Sequence, residues 1–234
     1  MSTASEPSSY LVAGCKPWNR TVFERLIAPL PGQWTFISRR EELTAKLLAE
    51  LKPRLVFFLH WSWLVPAEIV NHYECVCFHM TAVPYGRGGS PLQNLILRGH
   101  RTTKLTALRM TPELDAGPIY CQRDLSLDGT AEEILIRATE LSAEIITGLI
   151  AAPVEPIPQV GEPVLFQRRT PEQSKIPMLD SAEKMYDFIR MLDGAGYPPA
   201  FLVHEGFRFE FSRAALAEGR LTAQVSITPT PFSS

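Results

Sequence analysis

Two side chains able to move a proton stand where predicted strands give way to loops. His79 ends the β-prone run 74–79 (ECVCFH), and Asp115 lies in the turn segment 111–118 (TPELDAGP). Open parallel α/β sheets bind ligands outside the carboxyl ends of their strands. A His and an Asp placed there can share general acid–base work. Each also has a structural interpretation: His79 as a hydrogen-bonded core residue, and Asp115 as a turn former that bonds its own backbone.

The motifs around these residues resemble the folate-dependent formyltransferases, which include the methionyl-tRNA, glycinamide ribonucleotide and amino-sugar enzymes. That family has Asn-x-His at a strand end, then Ser-Leu-Leu-Pro, Arg-Gly and Pro, and later an Asp-Ala-Gly turn followed by a Gln. The chain offers, at matching spacing, Cys77-Phe78-His79, Thr81-Ala82-Val83-Pro84, Arg87-Gly88, Pro91, Asp115-Ala116-Gly117 and Gln122. The resemblance extends over residues 10–150.

The resemblance implies transfer of a formyl group from 10-formyltetrahydrofolate to a primary amine, without a metal. It assigns proton transfer to His79 and Asp115 and leaves open which of them accepts the proton. It assigns the substrate to Thr81, Arg87 and Gly88, and the folate pocket to Phe58, His60, Trp61, Trp63, Leu64, Val65 and Leu114. A formyltetrahydrofolate hydrolase and a non-catalytic folate-binding module are the alternatives.

One position departs from the family pattern. The family's catalytic Asn corresponds to Cys77, and a thiol is a weaker hydrogen-bond donor than an amide. The resemblance therefore places Cys77 at a catalytic position and leaves two explanations open. Either another donor replaces the amide, with Gln93, Asn94 and a backbone N–H as candidates, or His79 carries more of the work.

Composition sets expectations about the partners. The 234 residues are 45% hydrophobic, enough for one α/β core and a small appendage. A net charge of −2 and a pI near 6.2 provide no general attraction to phosphate backbones, so we expect a small amine acceptor and no nucleic acid. The segment 79–94 resembles enzymes that formylate amino sugars in surface-glycan or nonulosonic-acid pathways, which implies a nucleotide-linked amino sugar.

The sequence predicts a cytoplasmic protein without a membrane segment. It contains no run of about 18 apolar residues, and the polar first nine residues lack the basic start and apolar centre of a signal peptide. The four cysteines show no metal-ligand spacing beyond Cys75-x-Cys77, so we expect free thiols and no metal.

The hydrophobic pattern predicts an α/β fold. Strands at 10–13, 34–38 and 55–59 alternate with helices at 20–27 and 41–51, which predicts a Rossmann-like, doubly wound, mostly parallel sheet. The fully apolar run 55–59 is typical of a central parallel strand. A single Gly14 follows the first strand where dinucleotide-binding folds carry three glycines, so binding of NAD or FAD is not indicated.

Composition shifts suggest four segments. We expect a disordered tail at 1–9, a catalytic domain at 10–152 that ends with a helix at 131–149, a Pro-rich extended linker at 153–180, and a small appendage at 181–234. The appendage should contain a helix at 181–192, a hairpin at 200–204 and 207–211, and a further strand at 221–227. Because it has little core of its own, we expect it to pack on the main domain or to form a homodimer.

Overall fold

The computed structural model describes residues 7–230. Within that range the strands are β1 (Ser9–Gly14), β2 (Gln33–Ile37), β3 (Leu55–Leu59), β4 (Cys75–His79), β5 (Tyr85–Gly88), β6 (Thr102–Arg109), β7 (Ile119–Ser126), β8 (Val164–Phe166), β9 (Ala200–His204), β10 (Phe207–Ala217) and β11 (Arg220–Pro229). The helices are α1 (Pro17–Val22), which continues as a π-helical turn (Phe23–Ile27), α2 (Ala45–Leu51), α3 (Ala67–His72), α4 (Pro91–Leu97), α5 (Ala131–Ala151) and α6 (Ala182–Arg190). Short 3-10 turns lie at Arg40–Glu42 and Pro171–Ser174.

A six-stranded sheet with the order β2-β1-β3-β4-β6-β7 forms the centre of the fold. The first four strands pair in parallel, and β6 pairs antiparallel with β4. All five residues of β3 are buried, as expected for a central strand. Together with the three-stranded antiparallel sheet near the C-terminus, this confirms the predicted α/β fold with a small β-rich appendage.

One face of the sheet packs against α2. Leu48 lies in a buried cluster with Leu11, Val56 and Phe58, so that the apolar side of this helix meets three strand residues. The helix begins at Ala45 and not at residue 41, because the Thr44 hydroxyl accepts a hydrogen bond from Leu47 N (3.1 Å) and caps it. The cluster therefore fixes the sheet behind the carboxyl ends of β3 and β4.

The chain divides into two compact units. The first comprises the residues up to Arg87, Lys104–Leu125 and Ile136–Leu165, and the second comprises Gly88–Thr103, Ser126–Leu135 and the residues from Phe166 onward. The boundaries proposed from composition remain predictions. Of the expected tail at 1–9, residues 1–6 lie outside the described residues, and Ser9 already belongs to β1.

The second unit contains a three-stranded antiparallel sheet with the order β11-β10-β9. The predicted hairpin is confirmed, with Phe207 opposite His204 and Phe211 opposite Ala200, and its second strand continues to Ala217, which lies opposite Arg220 of β11. The register shifts between Ser212 and Ala215, which interrupts the alternation of side chains and hides this extension from sequence analysis. The unit also holds α6, which begins where Ser181 caps Lys184 N.

Candidate active site

His79 is the last residue of β4 and is held from both sides of its ring. It pairs with Thr106 across the antiparallel β4–β6 ladder and is 8% exposed. Its Nε2 lies 2.7 Å from the carbonyl oxygen of Gly86, in the loop that follows the strand. Its Nδ1 lies 3.5 Å from Oδ2 of Asp115, whose side chain is 11% exposed. The structure thus brings the two predicted acid–base residues together.

The contact with Gly86 determines which nitrogen can exchange a proton. A carbonyl oxygen only accepts, so the hydrogen of this bond resides on Nε2 of His79. The remaining nitrogen, Nδ1, faces the Asp115 carboxyl group, and a favourable contact between them requires a proton on one of the two. Any proton exchanged within the pair would therefore pass between Nδ1 of His79 and the Asp115 carboxyl group.

Asp115 occupies an unusual backbone conformation that its turn makes possible. Its φ is +52°, in the left-handed region that Asp tolerates better than most residues. Two residues later, a Cβ on Gly117 would overlap the carbonyl oxygen of Arg109, so only glycine fits there. The turn therefore requires glycine at position 117 and accommodates Asp at position 115, whose carboxylate lies 3.5 Å from Nδ1 of His79.

We therefore expect Gly117→Ala to destabilise the protein by at least about 2 kcal/mol, because the added methyl group meets backbone that cannot move aside. Urea denaturation with an unchanged slope would measure the loss. Gly148→Ala is the matched control: its Cβ would meet nothing within 4 Å, and replacing a glycine inside α5 should stabilise the protein by about 0.5–1 kcal/mol. Equal stability of the two variants would contradict this view of the turn.

Thr81 and Gln122 belong to a hydrogen-bonded network next to the loop that contains Gly86, the residue whose carbonyl contacts His79. Thr81 is fully buried, and its hydroxyl lies 3.4 Å from the same Gly86 carbonyl that contacts His79. The hydroxyl of Thr106 donates to Thr81 O (2.6 Å) and accepts from Gln122 Nε2 (3.0 Å). These contacts position the loop; direct contact of Thr81 with a substrate remains a prediction.

Cys77 lies two residues before His79 on the same strand, in register between Phe58 and Leu108. Burial, and next the negative charge of Asp115, raise the pKa of its thiol far above the ordinary value. Cys77 is thus within electrostatic range of the predicted acid–base pair. Its thiol stays protonated at neutral pH, which makes it a poor nucleophile and a weak donor.

We expect Cys77→Ala to lower turnover by much less than the roughly hundredfold typical of losing an oxyanion donor. The physical reason is that a protonated, partly buried thiol offers little to a developing negative charge. Steady-state kinetics beside Cys121→Ala, a free cysteine on β7, would measure the effect. Loss of turnover in a folded Cys77→Ala protein, with the control unaffected, would assign the thiol a catalytic role.

The two amide side chains considered as substitutes for the family Asn are engaged elsewhere. Gln93 is 2% exposed and its amide nitrogen donates to Met191 O (3.1 Å). The amide nitrogen of Asn94 contacts the carbonyl oxygens of Gly89, Ser90 and Gln167. Both amides therefore support their own unit, and a backbone N–H is left as the candidate donor.

The residues assigned to a folate pocket fall into buried and exposed groups. Phe58 belongs to the core and packs edge-on against Trp61, with ring centroids 6.0 Å apart. The Trp61 ring in turn meets Trp63 edge-on at 4.8 Å. Val65 packs against the core cluster. Trp63, Leu64 and Leu114 leave apolar surface exposed (38%, 82% and 58%), as a site for a flat aromatic ligand would.

His60 belongs to a polar cluster that the sequence analysis only partly found. Oγ1 of Thr139, a fully buried residue of α5, lies within 3.3 Å of Trp18 Nε1, Asn19 Nδ2 and His60 Nε2. Cys15 Sγ donates to the His60 carbonyl (2.9 Å), and the φ of His60 is +48°. The Trp18–Asn19 pair after the first strand was the available signal, whereas a Thr on the mostly apolar face of a helix gave none.

Arg87 and Gly88 are placed in the loop strand β5, and the Arg87 side chain is already engaged. Its Nε donates to Oε1 of Gln159 (3.0 Å), and its Nη1 lies 3.5 Å from Oε1 of Glu113. Gly88 has a φ of +106°. Sequence analysis missed Gln159, because a lone Gln in a Pro-rich stretch gives no signal.

Comparison with known proteins identifies the family. The family model described as formyl transferase matches residues 19–148, more than half of the chain. The chain belongs to the formyl transferase family. A second model, described as the C-terminal domain of methionyl-tRNA formyltransferase, matches residues 171–228. The family match covers both residues of the His79–Asp115 pair.

Individual relatives agree with this family. A methionyl-tRNA formyltransferase from Bacillus thuringiensis (strain Al Hakam) is 31% identical over 164 residues, which cover 66% of this chain and 52% of that protein. The chain thus spans about half the length of the curated relatives it matches. The solved structure of a methionyl-tRNA formyltransferase from Clostridium thermocellum is 42% identical with a TM-score of 0.90, over 95% of this chain and 99% of that one.

A sugar N-formyltransferase from Shewanella sp. FDAARGOS_354 shares only the fold. It is 15% identical with a TM-score of 0.65, over 93% of this chain and 96% of the other. The specific resemblance to amino-sugar enzymes inferred from residues 79–94 is therefore not confirmed.

The expected partners need correction. Both the match to residues 171–228 and the relatives at 31% and 42% identity bear the name of enzymes for methionyl-tRNA. The expectation of a nucleotide-linked amino sugar and of no nucleic acid is wrong in the light of these matches. The net charge was a poor guide to nucleic-acid binding because it sums all charges of the chain and does not show how they are distributed over the surface. The expected homodimer is not confirmed.

Two further observations concern the described part of the chain. None of the helices within residues 7–230 is long and apolar enough to cross a membrane. In the same range, no three His, Cys, Asp or Glu side chains are grouped to hold a metal ion.

Proposed function

We propose that this formyl transferase moves a formyl group from 10-formyltetrahydrofolate to a primary amine. The observation that carries the proposal is the His79–Asp115 pair, with Nδ1 and Oδ2 3.5 Å apart and both side chains largely buried. Formyl transfer between two nitrogens requires one proton to leave the attacking amine and one to reach the departing nitrogen. A positioned imidazole–carboxylate pair can do both.

The residues present fit the proposed cosubstrate, which supplies the activated formyl group when bound. Exposed apolar surface at Trp63, Leu64 and Leu114 suits a flat pteridine ring, with Trp61 supporting Trp63 from behind. Leu114 directly precedes Asp115, so its exposed side chain adjoins the acid–base pair along the chain. Phe58 and Val65 contribute by holding this region against the core.

Residues of the chain have distinct roles in the proton transfer. Gly86 O keeps the hydrogen of Nε2 in place and so orients the His79 ring, leaving Nδ1 to the proton shared with Asp115. This pair takes the proton from the attacking amine and returns one to the departing nitrogen. The new C–N bond forms as the old one breaks, so the pair ends the reaction in its initial protonation state. Cys77 borders the site without supplying charge.

The acceptor we propose is the α-amino group of methionyl-tRNA. The support is that the enzymes named for this acceptor match the chain over both family segments, and that one of them matches over nearly its whole length at 42% identity. On this proposal the segment matched at residues 171–228 contributes to holding the tRNA.

An assay of tetrahydrofolate release from 10-formyltetrahydrofolate tests the function and the acceptor together. We expect release that depends on methionyl-tRNA, with formyl-methionyl-tRNA as the product. Release that depends instead on a nucleotide-linked amino sugar would contradict the acceptor. Release without any acceptor would indicate a hydrolase, and no release under any condition would indicate a folate-binding module; either result would contradict the proposed function.

A further inference from the structure

Gln159 lies in a mostly exposed stretch and yet makes three side-chain contacts. The stretch is held beside β7 by two backbone hydrogen bonds between Ile157 and Ile119 (2.7 and 2.9 Å). Val160, the next residue, is 88% exposed, whereas Gln159 is half-buried. The side chain is therefore turned inward at one specific position of the segment.

The Gln159 amide spans the Asp115 turn. Its Nε2 donates to the carbonyl oxygens of Asp115 and Gly117, each at 2.8 Å. Its Oε1 accepts from Nε of Arg87 (3.0 Å), a nitrogen that only donates, so the orientation of the amide is determined. The two N–H groups must then face the two carbonyls. Arg87 also reaches Glu113 on the other side of the turn.

This arrangement acts on the backbone next to the carboxylate that faces His79. Asp115 has a φ of +52°, and its own carbonyl is one of the two that Gln159 holds. Fixing that carbonyl fixes the peptide plane after Asp115 and so limits the directions in which its side chain points. Asp115 is half-buried and Gly117 is buried, so removing the amide leaves two carbonyl oxygens with little access to water and should also cost some stability.

We infer that Gln159 is a positioning residue for the proposed formyl transfer: with Arg87 it holds the turn so that the Asp115 carboxylate meets Nδ1 of His79. The inference rests on the proposed function for its kinetic consequence but not for its structural one. Arg87 then serves the site through the turn, and not primarily through contact with a substrate.

The variants are Gln159→Leu, which removes the amide, and Gln159→Glu, which keeps an acceptor for Arg87 but loses both N–H donors. Val160→Ala is the matched control on the neighbouring exposed residue. We expect both Gln159 variants to lower kcat roughly ten- to a hundredfold, as small displacements of catalytic groups do, with KM for 10-formyltetrahydrofolate little changed and the protein still folded at the assay temperature. Turnover equal to the control would overturn the inference.

Nitrogen NMR of ¹⁵N-histidine-labelled protein gives a readout that does not depend on activity. In Gln159→Leu we expect the His79 Nδ1 resonance to move toward its position in Asp115→Asn, while Nε2, held by Gly86, moves little. An Nδ1 resonance that stays where Val160→Ala leaves it would overturn the inference. If the wild type forms no formylated product, the proposed function fails, and the NMR result alone decides the role of Gln159. Should Gln159→Leu fail to fold, Gln159→Asn, which keeps the amide on a shorter side chain, replaces it in both measurements.

Discussion

His79→Ala should lower kcat for formyl transfer by at least about a hundredfold, the usual contribution of a positioned acid–base group. The substitution removes the nitrogen that faces Asp115 and the N–H that Gly86 accepts, so the proton has no route between the two nitrogens of the reaction. Binding of 10-formyltetrahydrofolate should change little, because the exposed apolar residues assigned to it are separate side chains.

Steady-state kinetics together with a direct binding titration would measure both effects. His72→Ala is the matched control, since His72 is an exposed histidine at the end of α3. Circular dichroism would establish that the buried His79 has been removed without unfolding the protein. Near-normal turnover of a folded His79→Ala protein would remove His79 from the mechanism.

Asp115→Asn should produce a loss of similar size, roughly a hundredfold, and the loss should appear in kcat and not in KM. Asn keeps the shape of the side chain and tolerates the left-handed backbone of Asp115, so the turn should persist while the negative charge facing His79 disappears. An amide cannot accept and return the proton.

Asp124→Asn provides the control, because Asp124 is an exposed carboxylate that pairs with Lys104 on the surface. If Asp115→Asn raised KM and left kcat unchanged, Asp115 would be a binding or turn residue, as its alternative interpretation from sequence suggested. Comparing melting temperatures of the two Asn variants would separate a chemical loss from a structural one.

The parts of the site found from sequence are those whose residue types carry chemistry at strand ends. His79, Asp115 and the turn glycine could be recognised because their order and spacing match a family pattern, and the apolar strand β3 because parallel central strands are buried on both faces. Asp115 and Gly117 also carry a backbone constraint that only certain residues satisfy.

Contacts that common residues make with partners far away in the sequence could not be predicted. The Gly86 carbonyl is a backbone group, so its contact with His79 does not depend on residue type and cannot be predicted from sequence. This contact determines which nitrogen of His79 faces Asp115. Gln159 comes from a Pro-rich segment that looked like a linker. Thr139 is a polar residue on the buried, mostly apolar face of α5. Such contacts depend on the tertiary path of the chain and leave no periodic or local signal.

The central claim is that His79 and Asp115 act as one unit in formyl transfer, and a double-mutant cycle on the single-turnover rate of formyl transfer tests it most directly. Single-turnover rates would be measured for the wild type, His79→Ala, Asp115→Asn and the variant with both substitutions. Two groups that share one proton-transfer task are not additive, so the double variant should be slower than the more impaired single variant by no more than about threefold. Independent losses that multiply to roughly ten-thousandfold would contradict the account, because each residue would then be doing separate work.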